Sequence, residues 1–335
     1  MSKAQLPKQL RKLADKQLIR DLETGLESVE AALEKAVAHT DPIAKVTARH
    51  LVAAGGKRIR PTLVLLTAQF GDPTLPEVID AAVVVEITHL ATLYHDDVMD
   101  EAPMRRGVQT AHEIWGNNVA ILTGDLLFAR ASQVVSRLGE KALTLQADTF
   151  ERLCLGQLHE TLGPQNGDRP VEHYIRVLAD KTGSLIAAAA QMGIMFSGAD
   201  PAFMEPLRIY GEKIGVAFQL IDDVIDLHSD GKTSGKTPGT DLLAGVETLP
   251  TLLLREAAAT DSQAAGLIAK IDAGLNDESL AEVVAVLKDH PVTEAAHQEA
   301  IRWAEEAVEA IAPLPEGKVK QALIEFATAV VEREQ

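Results

Sequence analysis

The sequence predicts an all-α protein, folded as a single-domain bundle of ten or more helices around a central cavity. Apolar side chains recur with the helical period over long stretches without Gly or Pro, such as residues 78–100 and 125–138. The alternating apolar and polar residues and the hairpin dipeptides that are typical of strands are missing. Short segments with Gly, Pro or both interrupt the pattern at 54–56, 163–170, 198–201 and 230–239.

Two short apolar runs resemble strands but are also interpreted as helix. Leu63–Thr67 and Val83–Ile87 are rich in β-branched residues, yet the residues on either side keep the helical period. Residues 203–227 form another helical stretch, broken only by one proline and two glycines. The C-terminal third predicts amphipathic helices with polar breaks, at 264–275, 280–287, 294–311 and 318–334.

Composition limits the kind of protein. Of the 335 residues 46% are hydrophobic and only 4% aromatic, so the core is expected to consist of Ala, Val, Leu and Ile. The single cysteine, Cys154, excludes a disulfide framework and fits a reducing compartment. A formal net charge of −17 argues against binding to nucleic acid or to anionic lipid. Because no stretch approaches about 18 uncharged apolar residues and no apolar signal core begins the chain, a soluble, cytoplasmic protein is expected.

Two aspartate clusters of the same shape are the most informative feature of the chain. His-Asp-Asp-Val-Met-Asp at 95–100 and Ile-Asp-Asp-Val-Ile-Asp at 221–226 each end a long apolar helical run. In a helix the first and last aspartates of such a set are neighbours, about 6 Å apart along the axis. Carboxylates held so close repel each other unless a cation lies between them, and hard oxygen ligands suit Mg²⁺ bound to substrate phosphates. The paired aspartates are Asp96 with Asp100 and Asp222 with Asp226.

Small basic clusters stand out in this acidic chain. Lys57, Arg58 and Arg60 fall together, and so do Arg105 and Arg106. Arg offers a fork of donors to phosphate and Lys a point charge, so such clusters are typical of anion sites. Either cluster by itself would also be typical of an ordinary charged turn on the surface. Their order around the aspartate clusters favours the anion sites.

The segment Ser-Gly-Lys-Thr at 234–237 imitates the end of a nucleotide-binding P-loop. That motif is excluded, because its first glycine would fall at Asp230 and because Pro238 interrupts the helix that should follow. No Ser/His/Asp or Cys/His arrangement in the sequence indicates nucleophilic catalysis either.

Together these segments resemble the trans-polyprenyl diphosphate synthases (polyprenyl synthetases) of the medium- and long-chain type. The segments that carry the resemblance are Gly55–Pro61, His89, Asp96–Asp100, Arg105–Gly107, Gly124-Asp125, Lys181–Gly183, Phe218-Gln219, Asp222–Asp226, Gly235-Lys236 and Gly239–Asp241. The resemblance implies one isoprenoid synthase type of domain over residues 1–335. Within it lie an N-terminal helical segment (1–40), a catalytic core (41–255) and C-terminal helices that match by length only (256–335).

The resemblance implies a prenyltransferase that condenses isopentenyl diphosphate with an allylic diphosphate, either farnesyl or geranylgeranyl. In this family the allylic diphosphate ionises to a carbocation, the double bond of isopentenyl diphosphate attacks it, and a proton is lost. The task of the protein is then to stabilise the charge that develops on the leaving diphosphate. For this purpose the resemblance implies Mg²⁺, with three ions per active site.

The resemblance also assigns site residues, position by position. Those implied to be catalytic are Asp96, Asp100, Arg105, Lys181, Thr182, Gln219, Asp222 and Lys236. The implied metal ligands are Asp96, Asp100 and Asp222, with Asp226 in support. The implied site for the allylic diphosphate consists of Arg105, Lys181, Thr182, Gln219 and Lys236. The implied site for isopentenyl diphosphate consists of Gly56, Lys57, Arg60, His89 and Arg106. Four residues stay open between a role in the site and packing alone: His95, Asp97, Asp223 and Arg58.

Product length in this family depends on a tunnel below the first aspartate cluster. One helical turn of about 5.4 Å matches roughly one isoprene unit, so the residues one turn before Asp96 come first. Ala91 and Thr92 lie there, where synthases that stop at C15 or C20 commonly carry an aromatic residue. Thr88 and Val85 follow further down, and none of the four is bulky, which predicts a product of C30 or longer. Alternatively the tunnel floor is formed by Phe128, by Met192 or by a residue of a dimer partner.

The resemblance further implies a homodimer and an all-trans product for a quinone side chain, with at most transient membrane contact for product release. The nearest rival is a geranylgeranyl diphosphate (C20) synthase. A terpene cyclase is disfavoured, because its second motif would carry Asn, Ser and Glu in place of aspartates. A non-catalytic subunit of a heteromeric synthase would carry degraded motifs, whereas all six aspartates are intact here.

Overall fold

The computed structural model describes residues 6–7, 10, 15–228 and 238–333. Within these ranges most of the chain is helical, which confirms the prediction of an all-α fold with ten or more helices. The α-helices are, in chain order, α1 (Lys16–Ala36), α2 (Pro42–Ala53), α3 (Ile59–Ala68), α4 (Pro76–Met99), α5 (Ala111–Trp115), α6 (Asn117–Leu138), α7 (Glu140–Leu162), α8 (Pro170–Leu178), α9 (Ser184–Ser197), α10 (Met204–His228), α11 (Thr240–Leu243), α12 (Leu249–Ala257), α13 (Ser262–Asp272), α14 (Asp277–Leu287), α15 (Pro291–Ala310) and α16 (Lys318–Val331). Ala179–Gly183 form a π-helical turn, the π-turn below, and Pro201–Phe203 a 3-10 turn.

A two-stranded antiparallel hairpin is the exception to the helical fold. Strand β1 (Met104–Arg105) pairs with β2 (Val108–Gln109). The two turn residues, Arg106 and Gly107, both have positive φ (54° and 78°), as in the tight turns that match the twist of paired strands. This hairpin was not predicted from the sequence, because strands of two residues are too short to leave an alternating pattern. The hairpin presents two of the predicted anion-binding arginines.

Several helices begin where short polar side chains or proline favour a start. Asp15 caps α1 by accepting hydrogen bonds from the backbone N–H groups of Gln17 and Leu18. Asp41 caps α2 in the same way, and Pro42 takes the first helical position, where its missing N–H is not needed. The start of α3 differs, because its preceding residue, Arg58, is left-handed (φ 49°) and provides no side-chain cap. Tertiary contacts must therefore hold Arg58 in place.

The two strand-like apolar runs lie inside α3 and α4, which confirms their interpretation as helix. Two described helices, α4 and α6, are long and apolar enough to cross a membrane by length and composition alone. In α4, 67% of the apolar window is buried inside the protein, against 39% in α6. An apolar helix with most of its surface buried is typical of the core of a folded domain. The length and apolar composition of α4 are therefore explained by its position in the core.

Helix α10 runs without a break through Gly211 and Gly215, which the sequence analysis took as interruptions. Pro206 lies in its first turn, where proline is tolerated. A Cβ at Gly211 would lie 2.6 Å from the Cα of Ala187, and one at Gly215 would lie 2.5 Å from the Cα of Gly183. The glycines therefore mark close approaches of backbone, and only glycine fits there without displacing the neighbour.

Contacts within the chain group it into two compact units. Unit 1 comprises the described residues of 1–151, 185–211 and 311–325, and unit 2 those of 152–184, 212–310 and 326–335. Unit 1 holds the first aspartate cluster, and unit 2 holds the second cluster and the π-turn. The predicted single domain around a central cavity stays a prediction.

Both units have aliphatic cores, as the composition predicts. In unit 1 the side chain of Tyr94 is fully buried, donates to the carbonyl of Thr47 at 2.5 Å and so links α4 to α2. In unit 2 two apolar clusters are formed around Leu254 and around Leu220. The second of these clusters lies along α10 and includes Ile221 and Val224, so it anchors the helix that carries the second aspartate cluster.

Candidate active site

The first aspartate cluster lies at the C-terminal end of α4 in unit 1. Helix α4 ends at Met99, and the N–H of Asp100 still donates to the carbonyl of Asp96 at 2.8 Å. Asp96 is half-buried and Asp100 exposed, whereas Asp97 between them keeps only 1% of its surface. The outer two carboxylates are thus one helical turn apart, as predicted, and keep part of their surface exposed, while the middle one is enclosed by protein.

Asp97 is held by an arginine of the hairpin. Its Oδ1 accepts a hydrogen bond from Arg105 Nε at 2.6 Å, and its buried Oδ2 has no hydrogen-bond partner among the described residues. Burial raises the pKa of Asp97, and the positive charge of Arg105 opposes that rise. Asp97 therefore orients the hairpin against the end of α4. This contact favours the packing alternative that the sequence left open for Asp97.

Two of the residues predicted to bind isopentenyl diphosphate, Gly56 and Arg106, lie together at one backbone loop of unit 1. Arg106 Nη1 donates to the carbonyls of Leu51, at 3.2 Å, and of Gly55. A Cβ at Gly56 would lie 2.8 Å from Arg106 Cζ, and the φ of Gly56 is 155°, so only glycine fits between loop and guanidinium. Lys57, next in the chain, is exposed. The hairpin and the 55–57 loop thus meet at Arg106.

The electrostatics of this cluster favour an anion. Loss of hydration, together with the charge of Arg106, lowers the pKa of Arg60 to about 10, although Glu86 acts in the opposite direction. Burial and the neighbouring guanidinium groups, of which Arg60 and Arg106 act most, hold the pKa of His89 well below 6.5. His89 is therefore a neutral imidazole among cations. Bringing a diphosphate to this place would relieve the mutual repulsion of the arginines.

For Arg58, also left open by the sequence, the structure favours packing alone. Its side chain is buried, and it forms ion pairs with Glu30 of α1 at 2.5 Å and with Glu86 of α4 at 2.6 Å. Burial lowers and the two carboxylates raise the pKa of Arg58, with a net rise. Glu86 also lies 3.9 Å from Arg106. The sequence analysis missed Glu86, although a lone carboxylate inside an apolar run indicates a buried cationic partner.

The second aspartate cluster repeats the pattern of the first in unit 2. Asp222 and Asp226 are half-buried on α10, whereas Asp223 keeps 4% of its surface and accepts a 2.6 Å hydrogen bond from Tyr174 Oη. Burial raises the pKa of Asp223 well above its usual value even though that hydrogen bond opposes the rise. Burial and the nearby Asp223 also raise the pKa of Tyr174. Asp223, like Asp97, contacts protein.

The outer aspartates of this cluster have partners that the sequence analysis did not foresee. Thr240 Oγ1 donates to Asp226 Oδ1 at 2.6 Å, and the N–H of Asp241 donates to its Oδ2 at 3.2 Å. Asp222 Oδ1 accepts a 2.5 Å hydrogen bond from Arg333 near the C-terminus. No local pattern could have indicated Arg333, because it is 111 positions away in the chain.

Lys181 and Thr182, predicted for the allylic site, lie in the π-turn of unit 2. Lys181 Nζ forms a 2.5 Å ion pair with Glu160 Oε2 of α7, and both side chains are only partly accessible. Single π-helical turns inside α-helices are rare and often occur at functional sites. Gln219, predicted for the same site, is half-buried on α10, one turn before Asp223. Lys236 lies outside the described residues.

His95 packs against α6. Its Nε2 lies 3.1 Å from the carbonyl of Ile121 and 3.3 Å from Asp125 Oδ1. A Cβ at Gly124 would lie 2.3 Å from the same ring, and the ring of Phe128 lies tilted against it with centroids 5.8 Å apart. His95 thus fills a slot on α6, which favours the packing alternative.

The predicted tunnel residues of α4 are mostly enclosed. Ala91, Thr88 and Val85 keep 0%, 1% and 1% of their surface, and only Thr92 is half-buried. A growing chain that enters along this face would have to displace neighbouring side chains. The open tunnel therefore stays a prediction, and so does the alternative floor at Phe128, which packs between His95 and another aromatic ring.

The two clusters offer a donor set that fits Mg²⁺. Of the residues that the structure describes, no three His, Cys, Asp or Glu side chains are grouped to hold an ion by themselves. Each cluster instead presents two carboxylates one turn apart that keep part of their surface exposed. Mg²⁺ usually takes one or two carboxylates and completes its shell with water and substrate phosphate, so such an incomplete set is suited to it.

Comparison with known proteins identifies the family. A match to the polyprenyl synthetase family covers residues 41–287. The chain belongs to this family. The predicted polyprenyl synthetase membership is thereby confirmed, and the match includes both aspartate clusters and the C-terminal helices as far as α14.

Several polyprenyl synthetases match the chain over nearly its whole length. Nonaprenyl diphosphate synthase from Mycobacterium tuberculosis is 41% identical over 324 residues, which are 96% of each chain. A geranylgeranyl pyrophosphate synthase from Corynebacterium glutamicum, solved in complex with calcium and isoprenyl diphosphate, is 40% identical with a TM-score of 0.86 and covers 96% of this chain and 98% of its own. A decaprenyl diphosphate synthase from Rhodobacter capsulatus is 32% identical with a TM-score of 0.84 and covers 95% and 99%.

Proposed function

We propose that this protein is a prenyltransferase that condenses isopentenyl diphosphate with an allylic diphosphate, farnesyl or geranylgeranyl, to give an all-trans polyprenyl diphosphate of C30 or longer. The observation that carries the proposal is that the two aspartate clusters have the same pattern of buried and exposed carboxylates. In each, the middle aspartate is buried in contact with protein, and the outer two lie one turn apart and keep part of their surface exposed. In the second cluster these two also accept hydrogen bonds, from Arg333 and from Thr240. A carboxylate pair left accessible at a helix end is what a metal-bound diphosphate requires.

Asp96, Asp100 and Asp222, supported by Asp226, are the residues that would hold Mg²⁺, three ions per site. The bound ions supply Lewis acidity and neutralise the charge that develops on the leaving diphosphate. The solved relative from Corynebacterium glutamicum, which holds calcium and isoprenyl diphosphate, supports a divalent cation here. The partners of Asp226, Thr240 and the Asp241 backbone, orient its carboxylate for this purpose.

The protein's own cations bind the two diphosphates. Lys57, Arg60 and Arg106 would bind isopentenyl diphosphate, with the neutral His89 as a hydrogen-bond partner that adds no charge. Arg105, Lys181 and Lys236 would bind the allylic diphosphate, and Gln219 and Thr182 would lie near the developing cation. Because Lys181 already pairs with Glu160, the diphosphate has to replace a carboxylate as its partner.

Product length is supported by the relatives and by the small side chains of α4. Nonaprenyl and decaprenyl diphosphate synthases are among the relatives that cover almost the whole chain, which favours C30 or longer. The geranylgeranyl pyrophosphate synthase of similar identity keeps the C20 product as the second candidate. A quinone side chain as the use of the product belongs to the same proposal.

The proposed assembly is a homodimer. Large apolar side chains are exposed on α6, at Ile121 and Leu122, and on α7, at Leu155, Leu158 and Leu162. Exposed apolar side chains repeated along a helix are typical of an association surface. A cytoplasmic location, with transient membrane contact when the apolar product leaves, completes the proposal.

The test is a product analysis with purified protein. Labelled isopentenyl diphosphate, farnesyl diphosphate and Mg²⁺ are incubated, and the dephosphorylated products are separated by chain length. Metal-dependent products of C30 or longer are expected, with a loss of about 10²-fold or more in kcat for Asp96→Asn. Asp200→Asn is the matched control, because Asp200 is an exposed helix-capping aspartate and Asn caps equally well. Arrest at C20 would favour the second candidate, and absence of turnover with every allylic diphosphate would contradict the proposal.

A further inference from the structure

One face of α7 contacts the π-turn at three successive points. Arg152, Gly156 and Glu160 are spaced four residues apart and share that face of the helix. Arg152 Nε donates to Asp180 Oδ1 at 2.7 Å, and Glu160 Oε2 accepts from Lys181 Nζ at 2.5 Å. Between them, a Cβ at Gly156 would lie 2.7 Å from the backbone nitrogen of Lys181. Helix α7 therefore packs directly on the π-turn.

Arg152 also connects the π-turn to α10. Its Nη1 donates to Glu212 Oε2 at 2.7 Å, and its Nη2 donates to the carbonyl of Ala179 at 3.4 Å. Burial acts to lower the pKa of Arg152, but the hydrogen bonds to Asp180 and Glu212 raise it overall. The planar fork of arginine can bridge two carboxylates in fixed directions, whereas the single ammonium of lysine cannot.

The far end of the π-turn rests on α10 without any side chain between them. A Cβ at Gly183 would lie 2.9 Å from the carbonyl oxygen of Glu212, and one at Gly215 would lie 2.5 Å from the Cα of Gly183. A π-helical turn holds an extra residue and is seldom stable by itself, so its surroundings must define it. Here the conformation of the π-turn is held by backbone contact with α10 at one end and by the hydrogen bonds of the Arg152 guanidinium at the other.

We propose that Arg152 is a positioning residue for Lys181 and Thr182. By holding Asp180, the residue before Lys181, it sets the direction in which the lysine leaves the π-turn. This inference rests on the proposed function, in which Lys181 binds the allylic diphosphate. Arg152 itself does not bind the diphosphate. It positions Lys181 through the carboxylates of Asp180 and Glu212 and through the backbone of the π-turn.

The first test separates the two substrates kinetically. Arg152→Gln is expected to raise the KM for farnesyl diphosphate about ten- to a hundredfold, because small misplacements of a binding group are costly, with little change in the KM for isopentenyl diphosphate. The matched control is Arg255→Gln, since Arg255 also bridges two carboxylates, Glu247 and Asp272, and is equally exposed (36% against 35%). Arg152→Lys should recover only part of the loss. Equal changes in both KM values would overturn the proposal.

A second test needs no substrate. Amide hydrogen exchange of residues 178–184 is expected to be about tenfold faster in Arg152→Gln than in wild type, and unchanged in Arg255→Gln. Gly156→Ala, which pushes on the same backbone without altering any charge, should reproduce the effect. Its control is Gly266→Ala, where no atom outside the adjacent residues and the backbone of its own helix lies within 4 Å of the added Cβ. Unchanged exchange in Arg152→Gln would overturn the positioning role.

The two tests also distinguish failure of this inference from failure of the proposed function. If wild type turns over no allylic diphosphate, the proposed function is wrong, while the exchange measurement still decides whether Arg152 defines the π-turn. If wild type is active and exchange rises but the farnesyl KM stays constant, Arg152 supports only the fold. A combined Arg152→Gln/Lys181→Gln variant should raise the farnesyl KM little beyond Lys181→Gln alone, because Arg152 acts on the diphosphate mainly through the position of Lys181.

Discussion

Arg333 Nη2 donates a 2.5 Å hydrogen bond to Asp222 Oδ1, and its guanidinium lies 4.4 Å from the centroid of the Phe218 ring. Its other terminal nitrogen, Nη1, is buried without a hydrogen-bond partner in the described part of the chain. The guanidinium of Arg333 thus forms an ion pair with a carboxylate that we propose as a metal ligand. Because two cations compete for one carboxylate, Mg²⁺ has to displace Arg333 or share Asp222 with it.

We therefore expect Arg333→Gln to bind Mg²⁺ more readily. The Mg²⁺ concentration that half-saturates binding of farnesyl diphosphate should fall about three- to tenfold, since one partly buried ion pair no longer competes. Calorimetric titrations of the allylic diphosphate at a series of Mg²⁺ concentrations measure this. Arg302→Gln is the control, because Arg302 pairs with Glu299 and Glu306 on α15. A higher Mg²⁺ requirement in Arg333→Gln would show that Arg333 assists the metal site.

Tyr174→Phe is expected to destabilise the fold by about 1–3 kcal/mol, because it leaves the buried Asp223 without its hydroxyl donor. The loss should grow with pH. Since the pKa of Asp223 is raised, its contribution to stability is complete below the unfolded value of about 3.9 and is lost as pH rises through the folded pKa. The hydroxyl of Tyr174 stabilises the ionised form, so its removal should cost more at pH 8 than at pH 5.

Urea denaturation at both pH values measures this difference. Tyr210→Phe is the matched control, because Tyr210 is fully buried and donates to the carbonyl of Leu323 at 2.7 Å. That variant loses a buried hydrogen bond of similar length but faces no carboxylate in that bond, so its loss should be independent of pH. A pH-independent loss in Tyr174→Phe as well would mean that Asp223 is neutral throughout the range.

His89 should make the free protein less stable in acid. Its pKa is held well below 6.5 in the folded protein. As the pH falls below 6.5, His89 therefore binds a proton in the unfolded chain before it does so in the folded chain. Stability from this source is complete above the unfolded pKa of about 6.5 and falls below it, by at most about 1.4 kcal/mol per pH unit. Denaturation curves between pH 7 and pH 5 should show a smaller decline for His89→Gln than for wild type. His297→Gln, in unit 2, serves as the control, and an identical decline in wild type and His89→Gln would refute the expectation.

Ala91→Phe is expected to shorten the product without abolishing turnover, because the ring would project into the predicted tunnel. Ala82→Phe is the matched control. Ala82 is equally buried on α4, but nine residues away it faces the opposite side of the helix. Overpacking should cost both variants about 1–3 kcal/mol of stability. Product separation by chain length decides: an unchanged distribution in Ala91→Phe, or the same shift in Ala82→Phe, would rule out this face of α4 as the tunnel wall.

The sequence was sufficient for the features that depend on nearby residues. Helix positions followed from periodicity, and the run at Val83–Ile87 could be assigned to helix because its flanks kept the same period. The one-turn spacing of pairs such as Asp96 with Asp100 followed from the helical repeat alone. The spacing of the basic and acidic segments also identified the family that the comparison with known proteins confirms.

Other features depended on partners far away in the chain. The roles of Asp97 and Asp223 stayed open because their hydrogen-bond donors come from the hairpin and from α8. The hairpin itself was missed, and the glycines of α10 were taken for breaks, because a close backbone approach leaves no pattern in the residues around it. Arg333 and Glu86 were missed for the same reason.

By itself, then, the sequence determined the helices, the two carboxylate pairs and the family, because each rests on interactions within a few residues or on an ordered set of motifs. Only the tertiary structure decided which aspartates are enclosed, which cations stand beside them and how Arg152 defines the π-turn. Those outcomes depend on burial and on ion pairs between distant segments, whose strength is set by the surroundings that folding creates.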